Sequence, residues 1–336
     1  MKRSIISLVF IIGVVNFCYA QQKQEPSKKT MDSIGRVRLE EAAILNPVLR
    51  QVTVSTDLIG KGNIESSLLG SPLLKGKAST LRTTIVMNLP VASWGKNSFG
   101  ISGTFFQQEL RISDVQSFSP TLGSEDVVFN KGTFGLTASF TRRDSLFGRP
   151  VYYMASATGV TNDIEKVKRV SFLGTAVFPL KQTATTRYSI GAVINIDPSL
   201  KVPAFVIFNY WHKFANKLEL NVNMPSGVGL RREFSDRFWA TAGTTLGGSL
   251  AFFDLNSANL PKDANYTTID LKSGIGAEYR VGKKMIFGIN GGVLTPLSAR
   301  AFDRKENSSE YFVKNKLSNV PYVNFSFSLL PFLRKK

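Results

Sequence analysis

One cysteine and one histidine are all that this 336-residue chain has for thiol or imidazole chemistry. Cys18 falls at the end of an N-terminal stretch with the marks of a secretory signal. Lys2 and Arg3 come first, an apolar run from Ile5 to Val15 follows, and Cys18-Tyr19-Ala20 offers a small-x-small cleavage site. Cleavage after Ala20 leaves Gln21 first in a cysteine-free chain, which excludes disulfides, thiolate metal sites and cysteine nucleophiles. A lipid-modified Cys18 would normally follow a small residue, and Phe17 stands there instead. With His212 alone, histidine-pair metal sites are excluded, and a serine hydrolase would have to assemble around that one ring. Its chain neighbours Trp211 and Lys213 supply no partner, so the expectation is a protein that is not an enzyme and holds no cofactor or metal. Gly243 to Gly248 lacks both a following helix pattern and a Lys-Ser or Lys-Thr ending, so no phosphate cradle is expected. Long apolar runs are missing as well. Ile5–Val15 is too short to cross a bilayer as a helix, which takes ~20 apolar residues, and no later segment comes near.

Acidic residues are scarce, 24 against 42 basic ones, for a net charge of +18 that falls to +16 without Lys2 and Arg3. In an exported chain such an excess points to anionic lipid, lipopolysaccharide or an acidic solute, and not to nucleic acid. The 43% apolar content leaves two classes open: a soluble exported domain, or a membrane barrel whose strands are only half apolar.

What the chain does have is a period of two. Ile269, Leu271, Ile275, Ala277 and Tyr279 alternate with Asp270, Lys272, Gly276, Glu278 and Arg280. Leu218, Leu220, Val222 and Met224 alternate with Glu219, Asn221 and Asn223; Val323, Phe325, Phe327 and Leu329 alternate with Asn324, Ser326 and Ser328. Successive side chains of a strand point to opposite faces, so each segment has one apolar and one polar face. About fourteen such runs occupy the chain from residue 51 onward, with twelve as the alternative count. The spacing predicts an all-β, transmembrane, antiparallel up-and-down barrel over 51–336, after a signal at 1–20 and a periplasmic extension at 21–50. Met31–Leu45 could form a short helix, but the composition of 21–50 favours a mobile tail.

The connections sort by parity, except that three odd ones, near Asn162, Pro198 and Pro225, are also short. If the first strand runs outward, the four longest connections (Ile59–Ala78, Leu110–Asp126, Asp254–Tyr266 and Thr295–Val320) all fall on the extracellular side. The periplasmic connections are short, which is the asymmetry of bacterial barrels; a soluble β-sandwich has no reason to show it. Aromatics gather near strand ends as candidate interfacial girdles: Trp94 and Phe99, Tyr210 and Trp211, Phe238 and Trp239, Phe252 and Phe253.

From Val202 to about Phe253 the chain resembles a family of uncharacterised gram-negative outer-membrane β-barrel proteins, known only as a domain of unknown function. The resemblance rests on Pro203 opening a strand that ends in Tyr210-Trp211, on Leu218–Pro225, on Gly229, Arg231 and Arg232, and on the glycine-rich strand from Phe238. It implies a location and a fold, with no cargo. One departure is the basic tail: Leu333, Arg334, Lys335 and Lys336 follow Phe332, where such barrels commonly end in an aromatic residue.

In a barrel the polar faces line the lumen. The expected lining residues are Arg82, Arg187, Glu219, Asn221, Asn223, Arg231, Glu233, Asp270, Lys272, Glu278 and Arg280, with Asn88 and Asn195 beside them. Charges of both signs fit either a water-filled pore or an interior plugged by ion pairs. Basic residues also flank the short turns, where long side chains reach anionic headgroups. The expected partners are therefore outer-membrane lipids and lipopolysaccharide, the barrel-assembly machinery and small solutes. The expected function is a porin-like passive channel or small-solute conduit in the cell outer membrane. The alternatives are a closed structural or surface-interaction barrel using its long extracellular loops and, less favoured, an outer-membrane lipid enzyme.

Overall fold

A computed structural model describes residues 39–120, 123–163, 165–197, 204–255 and 259–331. Residues 1–20, expected to be a signal, most of the expected 21–50 extension and the basic tail lie outside them.

Strand follows strand. Four long ones come first: β1 (Val52–Leu68), β2 (Ser71–Trp94), β3 (Asn97–Ser117) and β4 (Val127–Leu146). The wall then drops through β5 (Arg149–Thr161), β6 (Arg169–Gln182), β7 (Thr186–Ile196), β8 (Ala204–Lys213), β9 (Leu218–Met224) and β10 (Gly227–Ser235). It rises again in β11 (Phe238–Asp254), β12 (Asp263–Val281) and β13 (Met285–Asp303), and ends with β14 (Tyr311–Leu317) and β15 (Val320–Leu329). Each strand pairs antiparallel with the next along the chain, except that β14 and β15 share one position. Both pair with β13 on one side and β1 on the other, as two pieces of one interrupted stave. The register Val52↔Leu329 through Ile59↔Tyr322 closes the ring. The result is a barrel of fourteen staves, an even number, as expected for this class.

The outer face shows why the chain folds this way. Leu136, Val206 and Ile275 are 63, 65 and 73% exposed, and Phe134, Ile194, Phe287, Ile289 and Phe325 stand out with them. A continuous apolar band on a closed antiparallel wall is a lipid-facing surface. Only a closed sheet pairs every backbone amide without water, so the barrel is transmembrane.

All six connections at one end are tight, two to four residues each: 95–96, 147–148, 183–185, 214–217, 236–237 and 282–284. At the tip of the second, Phe147 and Gly148 both have positive φ (52° and 73°), the geometry of a two-residue hairpin turn. At the other end the connections are shorter than the sequence suggests. Most of 59–78 is strand around a turn at Leu69-Gly70, and β3 runs to Ser117, β13 to Asp303. The extra strand was hidden because the alternation inverts above the lipid band. There Ile64, Leu74, Ala78, Ile112 and Val115 pack inward as a buried cluster, while Lys61, Glu65, Lys75 and Lys77 face water. A bulge in β1 between Ile59 and Gly62 marks the level of the switch.

Glycines let the staves β10–β13 approach closely. A Cβ on Gly292 would run into the backbone of Ser273 and Gly274, and one on Gly274 into the backbone of Gly291. Backbone cannot step aside as a side chain can. Gly292→Ala is therefore expected to abolish the compact, heat-modifiable form on a cold-loaded gel, while the same change at Gly103, where nothing lies within 4 Å, leaves it intact.

Candidate functional site: a barrel interior filled by paired charges

By strand parity all eleven expected lining residues lie on the inner face, and most are joined to one another. The lower tier begins on β7. The Arg187 guanidinium lies 4.4 Å over the Trp211 ring of β8, and Trp211 donates its indole N–H to Glu219 of β9 at 3.4 Å. Arg231 of β10 donates to the same carboxylate at 3.4 Å and stacks 4.9 Å from Trp239 of β11. Trp239 in turn donates to Glu278 of β12 at 2.6 Å. Glu278 then accepts both guanidinium N–H groups of Arg50, at 2.7 and 2.8 Å. One ladder of alternating cations, indoles and carboxylates thus spans six adjacent staves. Asn223 donates to Asn221 at 3.0 Å just above it. Glu233 stands opposite Trp239 in register, and Arg280 opposite Ile286, at the short-turn rim.

Arg50 belongs to the segment before the first strand. Residues 39–45 form a helix, Pro47–Leu49 a 3-10 turn, and together they close the short-turn mouth. The fit is apolar on one side, where Ala43, Ile44 and Leu49 meet Trp239, Ile286 and Leu330. It is polar on the other. Asn88 of β2 donates to the carbonyls of Val48 and Arg50, Arg50 donates back to Ala43, and Lys284 pairs with Glu40. The expectation of a mobile tail does not hold for 39–50. Short apolar side chains at Ala43 and Ile44 find a pocket that only the closed barrel creates, and composition carries no sign of it.

A second tier crosses the middle of the lumen. Arg82 of β2 donates to Gln108 at 2.8 Å and to Asp270 of β12 at 2.5 Å, a bond that reaches past three intervening staves. Lys272 donates to Asp57 of β1 at 2.6 Å, and Asn324 donates to the other oxygen of that carboxylate at 2.8 Å. The charged side chains of this tier are nearly all buried, Arg82 10% and Asp270 3% exposed. Above it, Thr133 of β4 donates to the Leu250 carbonyl of β11 at 3.0 Å, and Lys131 lies 4.6 Å over Phe253. β4 and β11 are diametrically opposite, so the wide-loop mouth is pinched across its width.

Asp57, Gln108 and Arg50 escaped the sequence reading. Asp57 shares its parity with Thr53 and Ser55 and was legible; Arg50 has no periodic context at all. Three of the expected girdle residues are reassigned. Consecutive residues of a strand face opposite sides, so Tyr210 and Phe238 look outward while Trp211 and Trp239 serve the ladder. Phe253 also turns inward, against Phe129 and Tyr266. Trp94 stays on the outside beside Phe140. His212 contacts Thr186 at 2.9 Å, Tyr210 and Phe214, at the outer short-turn rim.

The family model described as "Domain of unknown function (DUF6268)" matches residues 134–329, well over half of the chain. The chain belongs to this family. The DUF6268 match takes in eleven of the fourteen staves and the whole lower ladder apart from Arg50. Among curated proteins none matches. Among solved structures, a Pseudomonas aeruginosa FadL homologue is 11% identical over 83% of this chain and 90% of that one, with a TM-score of 0.36. The COG4313 outer membrane channel from Pseudomonas putida F1 is 9% identical over 83% and 96%, TM-score 0.30. The translocator domain of autotransporter NalP from Neisseria meningitidis is 12% identical over 89% and 95%, TM-score 0.27. Likeness at this level bears on no activity of the DUF6268 chain, and its barrel assignment stands on its own strand ladders.

Proposed function

We propose that the protein is a barrel of the gram-negative outer membrane, exported by a cleaved N-terminal signal, and that it passes small solutes once segment 39–50 leaves its periplasmic mouth. The observation that carries this reading is the attachment of that segment. Its key residue is a buried arginine held by a carboxylate of the wall. Burying such a pair costs desolvation that the pairing only roughly repays, so the contact fastens without locking. The path lies on the β5–β10 side, away from the cross-lumen ion pairs. Thr158, Thr175, Ser189, Asn209, Asn221 and Asn223 face inward there beside the buried apolar cluster of Val177, Val193 and Ile207, a mixed lining suited to small uncharged molecules. No catalytic role is assigned to His212.

Wild-type protein in planar bilayers should stay almost silent. Arg50→Ala combined with Asn88→Ala should release the segment and give discrete conductance steps. Silence of a folded double variant would remove the conduit reading. A second reading, a closed surface-interaction barrel, is favoured by the tall wall of β1–β4 and β11–β14. It would be these projecting strands, and not long loops, that meet a partner.

A further inference from the structure

Among the described residues one stave of the wall is interrupted. β1 pairs with β15 up to Ile59 and with β14 from Ile64, while β13 pairs with β15 up to Leu294 and with β14 from Arg300. Both seams of the interrupted stave therefore open at the same height. At Asn63 and Ser318 two hydrogen bonds bridge the opening, at 3.0 and 2.9 Å. Directly below, on the outer face, lies a groove of about 460 Å³. Leu81, Leu58 and Val323, adjacent in register across β2, β1 and β15, form its apolar floor; Arg111 and Glu109 stand on its rim. Gly60 leaves the groove open, since a Cβ there would already press on Pro321.

Above the groove the outer surface turns basic. Three carboxylates there already have cations: Glu65 has Lys75 at 3.2 Å, Asp114 has Lys77 at 3.4 Å, and Glu109 has Arg111 at 2.5 Å. Lys61, Lys314 and Lys316 form no ion pair among the described residues; Lys316 stands opposite Glu65 in register, whose carboxylate lies on Lys75, and Lys314 stands opposite Arg300. An apolar trough that ends in uncompensated lysines at the upper edge of the lipid band matches one chemistry: acyl chains below a phosphate-bearing headgroup.

We infer that this groove and the lysines above it seat one phosphorylated glycolipid of the outer leaflet. The acyl chains lie on Leu58, Leu81 and Val323, and the phosphates meet Lys61, Lys314 and Lys316. The inference rests on the outer-membrane placement proposed above but is independent of conduction, so a silent barrel leaves it standing.

The test is a titration of the folded, detergent-solubilised protein with phosphorylated lipid A, its dephosphorylated form and inorganic phosphate, with bound lipid counted by native mass spectrometry. Wild type should retain one phosphorylated lipid and bind the dephosphorylated form on the order of a hundred-fold more weakly, since each lysine near an anionic group contributes about a factor of five. The variant Lys61→Gln/Lys314→Gln/Lys316→Gln should lose that preference while keeping its heat-modifiable migration. Leu81→Asp should weaken both lipids alike. Unchanged preference in the triple variant would overturn the inference, as would inorganic phosphate competing as well as the lipid, which would mark a free-phosphate site.

Discussion

Glu278→Leu lowers the stability of the folded barrel by about 3–5 kcal/mol, the usual cost of leaving one member of a buried ion pair without its partner. The substitution strands the guanidinium of Arg50, which is 2% exposed, and takes away the acceptor of the Trp239 indole at the same time. Two escapes are open to the protein: to unfold, or to let the helical segment go so that Arg50 reaches water. The second is cheaper. Protease cleavage near residues 39–50 should therefore rise steeply in this variant before the barrel itself melts. Adding Arg50→Met should recover most of the loss, because an apolar pair fills the same space without a charge to desolvate. Urea unfolding in lipid vesicles, followed by tryptophan fluorescence, gives the size of the effect, and limited proteolysis gives its location. Equal resistance of segment 39–50 in wild type and Glu278→Leu would mean that the ladder does not hold it.

Arg82→Leu should cost about as much, ~3–5 kcal/mol, but be felt elsewhere. Its partners Asp270 and Gln108 both sit on the wall, and Asp270 is buried. No segment can leave to rehydrate the carboxylate, so the loss appears as global unfolding with segment 39–50 still protected. Replacing Asp270 by leucine as well should return stability to near wild type. An Arg82→Leu protein that unfolds at the wild-type urea concentration would show that the middle tier is wet and open, contrary to its burial.

How much of this was legible in the sequence depends on height in the membrane. Within the lipid band the alternation of Ile275, Ala277 and Tyr279 with Gly276, Glu278 and Arg280 fixes strand, face and lumen together. Above the band solvent replaces lipid, the apolar side turns inward at Ile64, Ala78 and Ile112, and a reader following outward-facing apolar residues loses the strand. The interior was legible as a set of faces and not as a set of partners. Parity puts Arg82 and Asp270 on the inner side, yet only closure of the ring brings two residues 188 positions apart within 2.5 Å. Trp211 and Trp239 show the opposite limit. Composition suggested girdles, whereas the pleat alone requires that Trp211 oppose Tyr210, and Trp239 oppose Phe238.

The most direct measurement of barrel closure is a cysteine pair across the seam. Ser55 and Ser326 are register partners on β1 and β15, and directly opposed strand residues lie within disulfide reach. Produced without residues 1–20, and so without Cys18, the Ser55→Cys/Ser326→Cys variant carries no other thiol. Membrane-inserted protein should then form an intramolecular cross-link nearly to completion under mild oxidation, seen as a single shifted band that reductant restores. Cross-linked dimers in place of that band, or no cross-link at all, would mean that the first and last strands remain free edges and that the ring is open.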